Sequence, residues 1–261
     1  MRLINNKLLH IVTACTLLSC GLAVNAEDAS EKPKWDILNP SFPLHKLAIE
    51  TDETTWSSLD ITPDGKTMVF DMLGDLYEVP LSGGQAKALT QDFAWNIHPA
   101  VSPDGKHIAF ISDRGGISNL WVMDRDGSNL KQLSTEKNNL IHSPKWRPDG
   151  EYIAVTKGIM SSRSIPAGEI WLYHKSGGDG LALKERVNGK KDQKNIADPA
   201  FSADGKFLYF TQDVSGGSTF SYNRDPLKGI FAITRYELAN GEEETYVSGT
   251  GGAVVPTPSP D

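Results

Sequence analysis

The chain has 261 residues, of which 39% are hydrophobic and 23% charged, and it contains 24 glycines and 15 prolines. This composition excludes the disordered and fibrous classes of protein and leaves enough apolar residues for a substantial core. The net charge of −7 argues against nucleic acid and anionic membrane surfaces as partners.

Residues 1–26 have the features of a secretory signal peptide. Arg2 and Lys7 form a basic start, and the apolar run from Leu8 to Leu18 is too short to span a bilayer as a stable helix. Val24-Asn25-Ala26 places small residues where a signal peptidase reads the chain, so we expect cleavage after Ala26 and a periplasmic or secreted protein. An alternative stays open, because Leu17-Leu18-Ser19-Cys20 resembles a lipobox and would make Cys20 a lipid anchor, the only membrane contact expected.

Residues 27–43 are polar and contain proline, which is typical of a linker. The next stretch, Leu44–Thr51, alternates apolar and polar side chains as a half-buried strand does. Its place ahead of the repeats described next predicts a leading strand that completes the last sheet of a ring.

A tight turn with the sequence Pro-Asp-Gly recurs along the rest of the chain. Proline fixes φ for the second position of the turn, aspartate accepts local hydrogen bonds, and glycine supplies a positive φ. The turn therefore joins two strands. It is clearest at Ser102–Lys106, with copies at Ile61–Lys66 and Trp146–Glu151. A further copy at Phe201–Lys206 has Ala203 in place of the proline, and a fifth, without its glycine, begins at Pro258–Asp261.

Each turn belongs to a unit of four strands. Each unit has a short strand before its turn, which is 100–102 in the second unit, and further strands after the turn. We predict these further strands over 67–71, 75–79 and 86–89 in the first unit and over 107–112, 119–123 and 130–133 in the second. In the third unit they are 152–156, 169–173 and 181–183, and in the fourth 207–211, 229–233, 236–238 and 245–247. The turn aspartates are 40, 45, 55 and 57 residues apart, and four strands in about 40 to 45 residues is the size of a propeller blade. The sequence predicts an all-β propeller over residues 44–261, with about four four-stranded blades and an incomplete C-terminal end.

Two units are lengthened between their second and third strands, by Ile159–Gly168 and by Ser215–Leu227. Insertions at this position share one face of a propeller, where loops commonly carry binding function. In the first insertion, Arg163 and Ser164 are candidates for contact with an anionic group, and a solvated loop is the alternative.

The repeats resemble those of the TolB and Tricorn-type propeller families. The likeness is carried by Ser102–Lys106, Ser112-Asp113-Arg114 and Leu120–Gly127. Four further stretches resemble the propeller half of secreted bacterial amidohydrolases, in which a TolB-like region precedes the hydrolase domain: Ile49–Trp56, Gly168–His174, Asp213–Phe220 and Gly251–Asp261. This resemblance implies a downstream barrel that binds divalent metal, and it assigns no catalytic residue to this chain.

The sequence contains no motif of a known catalytic or cofactor site, and both cysteines lie in the signal segment. We therefore assign no catalytic, cofactor-binding or metal-binding residue. His98 and His142 stand at nearly equivalent places before the inner strands of adjacent blades, and Asp198 has the place of His98 in the fourth unit. These three side chains are candidates for the lining of the channel mouth, either as polar groups that bind water or as metal ligands.

We expect a non-catalytic periplasmic propeller module that serves protein interaction or substrate gating for a hydrolase domain behind it. Two alternatives stay open: a free-standing TolB-like partner in an envelope complex, and the propeller of a truncated serine peptidase. An open blade edge is expected to make the isolated chain associate.

Overall fold

The computed structural model describes residues 36–45, 48–160, 166–186, 191–219 and 225–259. The predicted signal peptide with Cys20, and the candidates Arg163 and Ser164, lie outside these residues. The described residues among 36–58 form no helix or strand, so the strand predicted over 44–51 is wrong where the structure describes it. Leu44 and Ile49 are exposed there, because no neighbouring sheet covers them.

The described chain forms four antiparallel sheets of four strands, each with its strands in chain order. We call these sheets blades 1 to 4, and they confirm the predicted all-β architecture. Blade 1 contains β1 (Leu59–Ile61), β2 (Thr67–Met72), β3 (Asp75–Pro80) and β4 (Lys87–Ala88). Blade 2 contains β5 (Asn96–Val101), β6 (His107–Ser112), β7 (Asn119–Asp124) and β8 (Lys131–Gln132). Blade 3 contains β9 (Leu140–Trp146), β10 (Tyr152–Met160), β11 (Pro166–His174) and β12 (Leu181–Lys184). Blade 4 contains β13 (Ile196–Phe201), β14 (Phe207–Asp213), β15 (Phe231–Glu237) and β16 (Glu243–Val247).

The Pro-Asp-Gly turn joins the first and second strands of every blade, with Ala203 in place of the proline in blade 4. In blade 2 the backbone N–H of Gly105 donates to the carbonyl of Ser102 at 2.8 Å, and the Ser102 hydroxyl donates to Asp104 Oδ1 at 2.6 Å. Gly105 has a φ of 70°, in the left-handed region that favours glycine. The hydroxyl of Ser102 lowers the pKa of Asp104, and the same arrangement in blade 4 lowers the pKa of Asp204 to about 2.

Apolar layers fill the space between successive blades. Because each strand in such a layer is covered on both sides, its side chains are apolar in both directions rather than alternating. Burial of one large aliphatic side chain contributes about 1.5–3 kcal/mol, so neighbouring blades stabilise one another. Fully buried members are Val69, Leu76 and Phe110 between blades 1 and 2, Leu120 and Ile153 between blades 2 and 3, and Ile170 and Leu208 between blades 3 and 4.

The first strand of each blade lies beside the first strand of the next, in the order β1, β5, β9 and β13. These four strands are therefore the innermost strands of their blades and follow one another along the axis of the propeller. A short 3-10 helix, Pro226–Lys228, precedes β15. Within the described ranges no helix has the length and apolar content needed to cross a membrane.

Two predicted boundaries are wrong. In blade 3 the pairing of β10 with β11 continues as far as Met160 opposite Pro166, so part of the predicted insertion is strand. In blade 4 the strands predicted over 229–233 and 236–238 are the single strand β15, because every residue from Phe231 to Glu237 pairs with β14.

We predict that Gly105→Ala lowers the free energy of unfolding by about 1–2 kcal/mol, because alanine must adopt the left-handed conformation of the turn. Steric overlap adds little, since the new Cβ would lie 3.5 Å from its nearest neighbour, Cδ of Pro63. Urea unfolding measures the loss. The control is Gly216→Ala, where φ is not left-handed and no atom lies within 4 Å of the added Cβ; equal losses in the two variants would contradict the prediction.

Candidate binding site at the propeller axis

Each of the last three inner strands has one residue with a positive φ directly before a proline. These residues are His98 (φ 54°), Ser143 (φ 52°) and Asp198 (φ 56°). The strand register shifts at the same point in all three blades, which identifies a β-bulge. Asp198 thus has the place of His98 in blade 4, but the equivalent residue of blade 3 is Ser143. His142 therefore stands one residue before the position equivalent to His98, as its nearly equivalent place in the sequence indicated.

Val255, after β16, repeats the positive φ and the following proline of these residues, with a φ of 53° and Pro256 next in the chain. In three cases a side chain from the second strand of the preceding blade accepts a hydrogen bond from the backbone N–H of the residue with the positive φ. Side chains at equivalent positions of different blades therefore hold successive inner strands in place. The pairs are His98 with Asp71 Oδ2 at 2.7 Å, Asp198 with Thr156 Oγ1 at 3.0 Å, and Val255 with Thr211 Oγ1 at 2.9 Å.

Ser143 connects the two histidines to Asp198. Its backbone N–H donates to His98 Nδ1 at 3.4 Å, and its hydroxyl lies 3.0 Å from His142 Nδ1 and 3.2 Å from Asp198 Oδ1. A carboxylate only accepts hydrogen bonds, so the hydroxyl donates to Asp198 and accepts from His142. This pattern assigns the ring proton of His98 to Nε2 and that of His142 to Nδ1. The two rings meet edge to face, with 6.4 Å between their centroids.

Burial lowers the pKa of both imidazoles below the ordinary value of 6.5. The carboxylates of Asp71 and Asp198 oppose this effect at His98, and the neighbouring His98 adds to it at His142. Both rings are therefore neutral at pH 7 and act as hydrogen-bonding groups.

The bulge residues line a funnel on the axis with a volume of about 160 Å³. Residues from all four blades and from the segment 255–257 contribute to its wall. Its polar lining consists of Ser58, His98, Ser143, Lys145, Asp198 and Thr257. In the part of the chain that the structure describes, no group of three or more His, Cys, Asp or Glu side chains could hold a metal ion. Of the three candidates for the channel mouth, His98 and Asp198 line the funnel, whereas His142 is not part of its lining and contacts Ser143 through Nδ1.

An exposed apolar patch borders the funnel. Trp56, Leu73 and Trp95, which we call the rim patch, line a neighbouring cavity of about 290 Å³ that shares Ser58 and His98 with the funnel. Sequence reasoning missed this patch, because its members come from three separate loops.

Trp95 is held in place while 54% of its surface stays exposed. Its ring lies against the backbone of Gly74, where an added Cβ would come within 2.7 Å of Trp95 Cε3. Its backbone N–H donates to Asp113 Oδ1 at 2.8 Å. The indole is thus a pre-positioned aromatic surface next to polar groups, a combination typical of binding sites.

The repeats are similar in sequence and in fold to those of known propeller proteins. Residues 49–171 match the family model described as "TolB beta propeller domain". The chain is 33% identical over 146 residues to the uncharacterized peptidase YuxL of Bacillus subtilis, covering 45% of this chain and 22% of that protein. It is 27% identical over 161 residues to a putative Tricorn-like protease C-terminal subunit of Sulfurisphaera tokodaii, covering 62% of this chain and 17% of that protein. Among solved structures, TolB from Acinetobacter baumannii superimposes with a TM-score of 0.52 at 20% identity, over 73% of this chain and 43% of that one.

We predict that the stability of the chain falls between pH 7.5 and pH 5.5 partly because of His98. Below pH 6.5 the unfolded chain binds a proton at this residue more readily than the folded chain does, so unfolding is favoured as the pH falls. One such imidazole changes the free energy of unfolding by at most about 1.4 kcal/mol per pH unit. His98→Asn keeps an acceptor near the N–H of Ser143 and tolerates the positive φ, so it is expected to flatten the pH dependence of urea unfolding. The same substitution at His45, which is exposed outside the blades, is the control; an unchanged slope in His98→Asn would contradict the prediction.

Proposed function

On the premise that this chain carries a TolB-like β-propeller, we propose that it is a non-catalytic module that binds polypeptide segments at its axial funnel and thereby gates or recruits substrate for a hydrolase domain. The observation that carries the proposal is the polar funnel beside the exposed rim patch. Together they offer hydrogen bonds and an apolar surface within one site.

The funnel has groups that complement a peptide backbone. His98 offers an N–H at Nε2, Lys145 offers an ammonium group, and Asp198 offers carboxylate oxygens, so both carbonyls and amides of a peptide find partners there. A volume of about 160 Å³ is too small for a folded domain and suits a few residues of an extended chain. The rim patch would take an apolar side chain next to them.

A hydrolase domain is the partner that two independent arguments support. The relatives YuxL and the Tricorn-like subunit carry the names of a peptidase and a protease, and this chain spans about a fifth of each. The resemblance to secreted amidohydrolases, carried by stretches such as Gly168–His174, also implies a hydrolase behind the propeller. Any divalent metal would belong to that domain. The signal-like residues 1–26 support a periplasmic or secreted location, with a lipid anchor at Cys20 as the alternative.

We predict that the purified chain binds fluorescently labelled, unfolded casein in an anisotropy titration and does not hydrolyse it. Trp95→Ala and Asp198→Asn are each expected to weaken binding about fivefold or more, because they remove an aromatic contact and a charged acceptor from the site. Leu181→Ala is the matched control, since Leu181 is an exposed apolar residue on β12, outside both cavities.

Equal binding by the three variants, or hydrolysis of casein by the purified chain, would overturn the proposal. Thermal unfolding of each variant separates a lost contact from a lost fold. Capture of an envelope protein from extracts that contain no hydrolase domain would instead favour a free-standing envelope partner.

A further inference from the structure

The motif Ser112-Asp113-Arg114 lies outside the lining of the funnel and of the neighbouring cavity, but it contacts the loop that carries Trp95. This loop, residues 91–95, joins blade 1 to blade 2, and we call it the aromatic loop. Phe93 and Trp95 in it are 53% and 54% exposed, whereas Ala94 between them is buried. The two exposed rings can keep one orientation only if the loop is held by its surroundings.

Arg114 holds both ends of the aromatic loop at once. Its Nη2 donates to Asp92 Oδ2 at 3.0 Å and to Asn96 Oδ1 at 2.8 Å, and its Nε donates to Ser112 Oγ at 3.2 Å. The side chain is 7% exposed, and its guanidinium carbon lies 5.2 Å from the centroid of the Trp121 ring, a cation–π contact. The fixed fork of a guanidinium suits several acceptors at once, so the loop is tied to blade 2 at two points.

Asn96 extends this attachment to the surface behind Trp95. Because Arg114 can only donate, the Oδ1 atom of the buried Asn96 amide faces it and Nδ2 faces two carbonyl groups. Nδ2 donates to the carbonyls of Gly74 at 3.1 Å and Ala94 at 3.0 Å, and the backbone N–H of Asn96 donates to Gly74 at 2.8 Å. The ring of Trp95 lies against Gly74. One buried amide therefore holds the loop to the surface on which the indole rests.

Asp113 completes the frame at Trp95 itself, since its Oδ1 accepts from the backbone N–H of that residue at 2.8 Å. The loop at the joint between blades 2 and 3 is also held by an ion pair, between Lys157 Nζ and Glu136 Oε1 at 2.8 Å. That loop has polar side chains at residues 137–139, where the aromatic loop has Phe93 and Trp95. The two loops thus share a rigid attachment and differ in what they present to solvent.

We propose that Asp113 and Arg114 are positioning residues of the binding site, which hold the exposed ring of Trp95 in the orientation that meets an apolar side chain of a bound polypeptide. The inference rests on the proposed function for its ligand, whereas the orientation of the ring can be measured without one. Neither residue lines the site, so each acts through Trp95. A ring that is already held loses less freedom when a ligand binds, and this raises the affinity.

Fluorine NMR of the chain labelled with fluorotryptophan measures the environment of the ring. The resonance of Trp95 is identified by its absence from Trp95→Phe. Asp113→Ala is expected to shift and broaden this resonance, because the N–H of Trp95 loses its acceptor, whereas Asp113→Asn keeps an acceptor oxygen and should leave it in place. Arg114→Met is expected to shift it as well. An unchanged Trp95 resonance in Asp113→Ala or in Arg114→Met would overturn the proposal.

Casein binding by the same variants measures the effect on the site. Asp113→Ala and Arg114→Met are each expected to weaken binding about threefold or more, while Asp113→Asn binds like the wild type. When Trp95→Ala is already present, Asp113→Ala should cause no further loss, because the ring on which it acts is gone. Losses that multiply in the double variant would contradict an action through Trp95.

Glu136→Gln is the matched control, because it breaks the ion pair of the neighbouring loop and leaves the contacts of Trp95 intact. It is expected to unfold at a lower temperature, since Lys157 loses its charged partner, and to keep both the Trp95 resonance and the casein affinity. A change in either would indicate general loosening and would overturn the proposal. A wild-type chain that does not bind casein would refute the proposed function, and the fluorine resonances would still decide whether Asp113 and Arg114 position the ring.

Discussion

The packing of one four-stranded sheet against the next is the constraint on which this structure depends. No blade can bury both of its faces alone, so the stability of each comes from its neighbours. The second strands show this directly: in β6, Ile108 and Phe110 face the blade before, while Ala109 and Ile111 face the blade after, and all four are buried. Removal of one blade would therefore expose apolar surface on another.

The sequence was sufficient to predict the repeating part of the fold, because that part is determined locally. A turn such as Ser102–Lys106 is closed by its own backbone and its own side chains, and the strands on either side are too apolar to lie in solvent. The strand predicted over Leu44–Thr51 failed for the converse reason. Its alternation of apolar and polar residues is a local signal, but a strand also needs a partner, and none of the described strands pairs with it.

The axial site was less predictable, because it depends on which residue of each inner strand takes the bulge. His98 and Asp198 were found as isolated polar residues, whereas Ser143, which joins them, has no chemical signature in the sequence. The proline after each bulge was the signal that could have aligned all three positions. Trp95 could not be found this way, since its position depends on the close approach of its ring to Gly74 in another loop.

The hydrogen bond that holds the inner strand of blade 3 to blade 2 differs from its counterparts in its acceptor, which is a ring nitrogen instead of a side-chain oxygen. Elsewhere the equivalent amides of His98, Asp198 and Val255 donate to side-chain oxygens of Asp71, Thr156 and Thr211. Blade 2 has Ile111 at that position, so the amide of Ser143 turns to His98 Nδ1. A ring nitrogen that gains a proton can no longer accept, and mild acid would thus convert this one attachment into a repulsion between two N–H groups. The seam between blades 2 and 3 therefore contains an inner-strand attachment that depends on a neutral histidine.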